Sequence, residues 1–250
     1  MLRVIITGAS SGIGAALARD YARRGAVLGL VARRKAELEQ VAASISSPSE
    51  IYTADVCDAA AMQSVAADFI AKHGAPDRVI ANAGISVGTL TEYPEDIAAF
   101  ERVIDINVLG IVRTFQPFIG AMRARGSGTL AGIASVAGYR GLPGAAAYSA
   151  SKAAAISYLE SLRVEERAKG IRVVTICPGY IDTPLTAGNP YPMPFILSAD
   201  DGARRIARAI ERGTPFAVVP WQMAVVARLL HIMPVWLYDR LFGHAPRKPR

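Results

Sequence analysis

The chain has 250 residues, 52% apolar and 20% charged, a balance that fits one domain with a sizeable core and excludes a disordered chain. Its formal net charge of +7 gathers at Arg33-Arg34-Lys35, Arg204-Arg205-Arg208 and Arg247-Lys248-Arg250. These read as solvated helix faces, a contact to a cofactor phosphate and a frayed end, so no nucleic-acid partner is expected.

Strand-like sequence begins at Leu2 with no basic, apolar and small-residue leader ahead of it, and the expected location is cytoplasmic. The first strand, Arg3–Thr7, runs into "TGASSGIG", Thr7 to Gly14, and a helix is expected over Ala15–Arg24. Gly8, Gly12 and Gly14 then fall in the connecting turn. Glycine there permits left-handed backbone, close approach of a pyrophosphate and close helix–strand packing. The N–H groups at the helix start would face the phosphates, with the helix dipole behind them. The turn reads as nucleotide-binding, although its Gly-x3-Gly-x-Gly spacing departs from Gly-x-Gly-x-x-Gly and, alone, also suits a structural turn.

The second strand, Val27–Val31, ends in "LVARRK". An NAD enzyme needs an Asp or Glu here for the free 2′-hydroxyl of the ribose. Ala32 leaves that hydroxyl without a partner and a 2′-phosphate without repulsion, and the planar fork of Arg33 can pair with the phosphate. NADP(H) is favoured over NAD(H). Arg34 and Lys35 read as residues that open the next helix.

Further strands are expected at Glu50–Ala54, Arg78–Ala81, Gly128–Ile133, Arg172–Cys177 and Phe216–Pro220. Most are apolar along their length, as strands covered on both faces are. Seven such runs separated by helices predict an α/β chain: a three-layer, doubly wound Rossmann fold with a seven-stranded, mostly parallel sheet, a single domain over 1–250. His73 before Gly74 reads as a helix end, and His73, His231 and His244 lack companion ligands, so no metal is expected. Cys57 and Cys177 share no short spacing and read as buried thiols.

Ser135 follows the strand Gly128–Ile133 in "GIASVAG", at the sheet edge where open α/β folds bind ligands, and its hydroxyl could hold a substrate oxygen. From Tyr148 the helical stretch "YSASKAAAISYLESL" places Tyr148 and Lys152 four apart on one face. An ammonium beside a phenol favours the phenolate, so Tyr148 could exchange a proton with a substrate oxygen.

Past Cys177 the rhythm breaks. Residues 184–198, with Pro184, Pro190, Pro192 and Pro194, read as a substrate lid, and a helix is expected from about Ala199. Residues 221–243 read as amphipathic helices broken at Pro234, and residues 244–250 as a disordered tail. The apolar face of those helices is expected to pack on the domain or a second subunit, the alternative being a lipophilic substrate entrance or a peripheral membrane contact. The prolines of the lid and Arg228 interrupt the longest uncharged runs, so no membrane span is expected.

Taken together, "TGASSGIG", Asp55-Val56, Asn82-Ala83-Gly84, Asn107, Ser135, Tyr148-x3-Lys152 and Pro178-Gly179 followed by Thr183 occur in the order of one family. The chain resembles the short-chain dehydrogenase/reductase family from Thr7 to Thr183. The resemblance implies that Tyr148 is the general acid/base and that Ser135 polarises the substrate carbonyl or alcohol. Lys152 would bind the nicotinamide ribose and lower the Tyr148 pKa, and Asn107 would hold a water linking Lys152 to solvent. The cofactor would lie on Gly8, Ser10, Ser11, Gly12, Ile13 and Gly14, with Arg33 at its phosphate and Asp55 and Val56 at the adenine. Asn82, Ala83 and Gly84 would line it, and Pro178, Gly179, Ile181 and Thr183 would approach the carboxamide. The implied activity is NADP(H)-dependent interconversion of a carbonyl and a secondary alcohol in a small-molecule substrate, a lipophilic one where the C-terminal helices line its entrance. The ending lacks the family's TGQ-like turn and Asp-Gly-Gly close. A homodimer through helices around Asn107–Met122 and Ser151–Lys169 is therefore expected in place of the usual tetramer. The rival readings are a non-catalytic nucleotide-binding regulatory protein on the same fold and a peripheral membrane-associated lipid-modifying reductase.

Overall fold

In a computed structural model that describes residues 1–189, 192–243 and 245–248, the apolar runs become seven strands. They are β1 (Arg3–Thr7), β2 (Val27–Ala32), β3 (Ser49–Thr53), β4 (Arg78–Ala81), β5 (Gly128–Ile133), β6 (Ile171–Pro178) and β7 (Phe216–Val219). The order across the sheet is β3-β2-β1-β4-β5-β6-β7, and every pairing is parallel, so the expected "mostly parallel" becomes wholly parallel among the described residues. The winding reverses between β1 and β4. That switch point opens a crevice at the carboxyl ends of the strands.

Helices cover both faces. Leu17 and Tyr21 of α1 (Gly12–Arg23), Leu38 of α2 (Lys35–Ala43) and Ile206 and Ile210 of α7 (Ala199–Arg212) are fully buried on one face. Phe69 of α3 (Ala59–His73), Phe115 and Phe118 of α5 (Gly110–Arg125) and Leu159 of α6 (Ala146–Arg167) are fully buried on the other. Each such side chain contributes about 1.5–3 kcal/mol by leaving water, so the two apolar layers hold the sheet from both sides. The edge strand β3 departs from the expected apolar pattern: Ser49 and Tyr52 are half-buried and Ile51 is exposed, because nothing pairs beyond it.

α4 (Asp96–Ile104) and α5 are joined through the π-turn Asp105–Leu109, giving one continuous helix from Asp96 to Arg125. By length and composition that helix could cross a membrane, contrary to the sequence reading. Phe115, Phe118 and Met122 are nevertheless completely buried against the sheet, as in a core helix.

The C-terminal segment forms α8 (Trp221–Ile232) and α9 (Val235–Phe242), broken at Pro234. Arg140 explains how they dock. Its guanidinium donates to the carbonyls of Leu230 (2.9 Å) and Met233 (2.7 Å) at the end of α8 and lies 4.3 Å from the centre of the Tyr238 ring. These orphan carbonyls, at the negative end of the helix, gain a cation. Met223, Ala227 and Tyr238 are buried on the domain, whereas Trp221, Leu229, Ile232, Val235 and Trp236 form an exposed outer face.

Candidate active site

The glycine turn shapes the crevice. Gly8 and Gly12 have positive φ, at 66° and 54°, which admits the tight reversal out of β1. α1 starts at Gly12, earlier than the expected Ala15, so Gly14 lies inside the helix and not in the turn. Its role is packing: a Cβ at Gly14 would stand 2.2 Å from the Gly8 carbonyl oxygen. Asn82 braces the same turn, its Nδ2 donating to the carbonyls of Thr7 (3.0 Å) and Gly8 (3.3 Å). The Asn82 carboxamide therefore supports the crevice as well as lining it.

The crevice is a cleft of about 510 Å³ running from the glycine turn to α6. It brings together Gly8, Ser10, Ser11, Gly12 and Ile13 with Arg33, Asp55 and Val56, then Asn82, Ala83 and Gly84, then Tyr148 and Lys152, and finally Pro178, Gly179, Ile181 and Thr183. Of the residues expected there, only Gly14 and Asn107 are not on its wall. A volume of this size, bare glycine backbone at the start of α1 and two guanidinium groups at the end of β2 together fit a dinucleotide.

At that end, Arg33 reaches Asp55 at 3.4 Å, with both side chains over a third exposed, so the pair is weak and Arg33 can turn to a stronger anion. Burial works against ionisation of Asp55, but the Cys57 N–H and Arg33 prevail and hold its carboxyl below the usual range. Arg34 corrects the sequence reading. It does precede α2, but its Nη2 donates to Ser10 Oγ (3.1 Å) and Ser11 Oγ (2.9 Å), so it faces the nucleotide turn. Nothing in the local pattern distinguished it from Arg33, because both follow the last residue of β2.

The other end of the cleft is where Ser135, Tyr148 and Lys152 meet. Ser135 caps a short 3₁₀ turn, Val136–Gly138, its Oγ accepting from the Ala137 N–H at 3.1 Å. The absence of a side chain at Gly138 lets that turn lie on α6, since a Cβ there would be 2.8 Å from the Lys152 carbonyl carbon. One turn of α6 sets Lys152 beside Tyr148, with Nζ 5.7 Å from the ring centre. Lys152 is 4% exposed and donates to the Ile133 carbonyl at 2.8 Å. Burial pulls its pKa down to about 8.

Asn107 sits behind this group, fully buried in the π-turn. Its Oδ1 accepts from the Ile85 N–H (2.9 Å), and its Nδ2 donates to the Ile85 carbonyl (2.9 Å) and Ser151 Oγ (3.0 Å). The carboxamide thus ties the segment after β4 to α6, and its Oδ1 keeps a second lone pair. Asn107 Oδ1 and Lys152 Nζ both crowd the bare face of Gly84, at 3.1 and 3.6 Å from a notional Cβ.

A second cavity, of about 310 Å³, adjoins the first across Ser135, Tyr148, Gly179, Leu185 and Thr186. Leu185 and Thr186 belong to the expected lid 184–198, of which Pro190 and Tyr191 lie outside the described residues. The lid is anchored at both ends by the bridge between Ile181 and Leu197. Phe242 of α9 forms part of the opposite wall, followed by Ala245, Pro246 and Lys248. Of the tail expected to be disordered, His244, Pro249 and Arg250 lie outside the described residues. Residues 245–248 instead return to this cavity, where Lys248 Nζ donates to Ser86 Oγ at 2.7 Å.

Residues 3–191 match the family model described as short chain dehydrogenase. The chain is 39% identical over 241 residues to an uncharacterized oxidoreductase of Myxococcus xanthus, covering 94% of each chain. It is 37% identical over 213 residues to a cis-4-hydroxycyclohexanecarboxylate dehydrogenase of Sinomonas cyclohexanicum, covering 83% of this chain and 84% of the other. A solved alcohol dehydrogenase of the archaeon Thermococcus sibiricus, complexed with 5-hydroxy-NADP, superposes with a TM-score of 0.77 at 27% identity, over 88% of this chain and 96% of that one.

Proposed function

Because the chain belongs to the short-chain dehydrogenase family and is an oxidoreductase acting on alcohol or carbonyl groups, we propose that it prefers NADP(H) and works through Tyr148 as general acid/base. The carrying observation is that Ser135 and Tyr148 form the wall common to the two cavities, with Lys152 beneath. A nicotinamide cofactor in the larger cavity would give or take the hydride. Ser135 Oγ holds the substrate oxygen from the smaller cavity, and Tyr148 delivers a proton to it in reduction or removes one in oxidation. Lys152 supplies positive charge below the phenol, which favours departure of its proton. The 37% identical relative is named for oxidation of a ring alcohol, cis-4-hydroxycyclohexanecarboxylate, and the same reaction class is proposed here.

The cofactor preference rests on Arg33, Arg34 and Ser10 at the end of β2, where Ala32 stands in place of an Asp or Glu and Arg33 is held only by its weak pair with Asp55. A charge-assisted hydrogen bond contributes about 1.5–3 kcal/mol. Arg33→Ala and Arg34→Ala should therefore each weaken NADPH binding by roughly 10- to 100-fold and leave NADH binding nearly unchanged, as read by nicotinamide fluorescence titration. Tighter binding of NADH than NADPH by the unaltered protein would overturn the preference. The neighbour complexed with 5-hydroxy-NADP supports the same choice.

A homodimer through α5 and α6 belongs to this proposal. Light scattering of the full chain should give twice the 26.5 kDa chain mass, and a monomer would remove it.

A further inference from the structure

The smaller cavity contains one feature that hydride transfer does not use. Among the described residues no Asp or Glu lies on its wall, and the cationic group there is the ammonium of Lys248. That ammonium is carried in by the tail, seated where Gly144 is bare: a Cβ at Gly144 would meet Arg247 Cβ at 2.8 Å and Lys248 N at 3.1 Å. Lys248 Nζ is held at 2.7 Å by Ser86 Oγ and stands 5.9 Å from the centre of the Tyr148 ring. Among the described residues no carboxylate pairs with it, whereas Arg3, Arg78, Arg113 and Arg123 each have one. A partly desolvated ammonium held by one neutral hydroxyl leaves donor capacity unmet, and burial disfavours its charge, as the lowered pKa reflects.

We propose that Lys248 is a specificity-determining residue that binds the carboxylate of the substrate, so that the enzyme acts on small oxo acids or hydroxy acids with an apolar frame. This rests on the reading of Ser135 and Tyr148 as the reacting wall and adds the substrate class to it. Leu142, Pro143, Tyr180, Leu185 and Phe242 supply apolar surface for the frame. The anion enters where the Lys248 ammonium awaits it, close to Tyr148, which sets the distance between acid group and reacting carbon to that of a compact molecule. Three N–H donors on Lys248, one already given to Ser86, leave two for a carboxylate.

The test separates recognition from chemistry. Cyclohexanecarboxylate, which has no reactive carbonyl, is titrated calorimetrically into the full chain saturated with NADP⁺, with cyclohexylmethanol as the neutral control. Binding of the acid should be at least about tenfold tighter than that of the alcohol in the unaltered protein, should fall about tenfold or more in Lys248→Met and should largely return in Lys248→Arg, as expected for a charge-assisted hydrogen bond. Equal affinity of Lys248→Met and the unaltered protein for the acid, or no acid binding at all, would overturn the proposal. In turnover, the Lys248→Met loss of kcat/KM through KM should be about tenfold or more greater for 4-oxocyclohexanecarboxylate than for 4-methylcyclohexanone. If Lys248→Met instead raises turnover of both ketones alike, Lys248 is only a plug, which also overturns it. Acid binding without turnover of either ketone would count against the reacting wall alone, since the calorimetric result does not depend on hydride transfer.

Discussion

Tyr148→Phe is expected to lower carbonyl reduction by about 10²- to 10⁴-fold, the contribution of a positioned proton donor, while leaving NADPH affinity and thermal unfolding close to those of the unaltered protein. The substitution keeps the ring, whose centre is 5.7 Å from the Lys152 ammonium and 5.9 Å from that of Lys248. It deletes the phenolic hydroxyl proposed to deliver the proton. Single-turnover reduction followed at the NADPH absorbance isolates this step from product release. Because the hydroxyl is used when the substrate oxygen changes charge, the loss should appear in kcat and kcat/KM together. Activity near the original level would assign the proton to another group. Unchanged NADPH binding with activity lost would exclude a general collapse of the cleft.

What the sequence made legible follows how local each feature is. The glycine turn, the Ser135 turn and the Tyr148–Lys152 pair are each set by a few neighbouring residues, so spacing alone brings their atoms near one another. The sheet was legible for the same reason, since a strand buried on both faces is a continuous apolar run. Asn107 was named from the resemblance, but its place in a π-turn tied to Ile85 and Ser151 rests on contacts outside the local pattern of "IDINVLG". Arg34 was legible as the residue that opens α2, but its bonds to Ser10 and Ser11, more than twenty positions away, were not. Lys248 was placed in a disordered tail because its partner, Ser86, is 162 positions away and no periodicity links them. The docking of α8 and α9 by Arg140 and the seating of the tail at Gly144 direct the chain back to the cavity, and both depend on tertiary contacts which no local window contains.

Lys152→Met is expected to separate activity from stability. The Lys152 ammonium is almost fully enclosed, and burial lowers its pKa from the ordinary 10.5 to about 8. A lysine whose folded pKa lies below its unfolded one burdens the fold while it is charged. That burden is full below about pH 8 and is relieved as pH rises from there toward 10.5, where the unfolded chain still binds the proton. Methionine removes the buried charge but leaves the Ile133 carbonyl without its donor, a loss of about 1–3 kcal/mol that opposes the gain. Thermal unfolding at pH 7 should consequently move by only a few degrees. Turnover should fall by about 10²- to 10³-fold, the effect of removing one preorganised electrostatic group. The pH dependence gives the independent signature: in the unaltered protein kcat/KM for reduction should decline above about pH 8, as Lys152 in the free enzyme loses its charge, and Lys152→Arg should carry that decline to higher pH. A profile flat through pH 9 in the unaltered protein, or a Lys152→Met variant that unfolds many degrees earlier and loses NADPH binding in proportion, would make Lys152 a structural strut and remove it from the proton-transfer machinery.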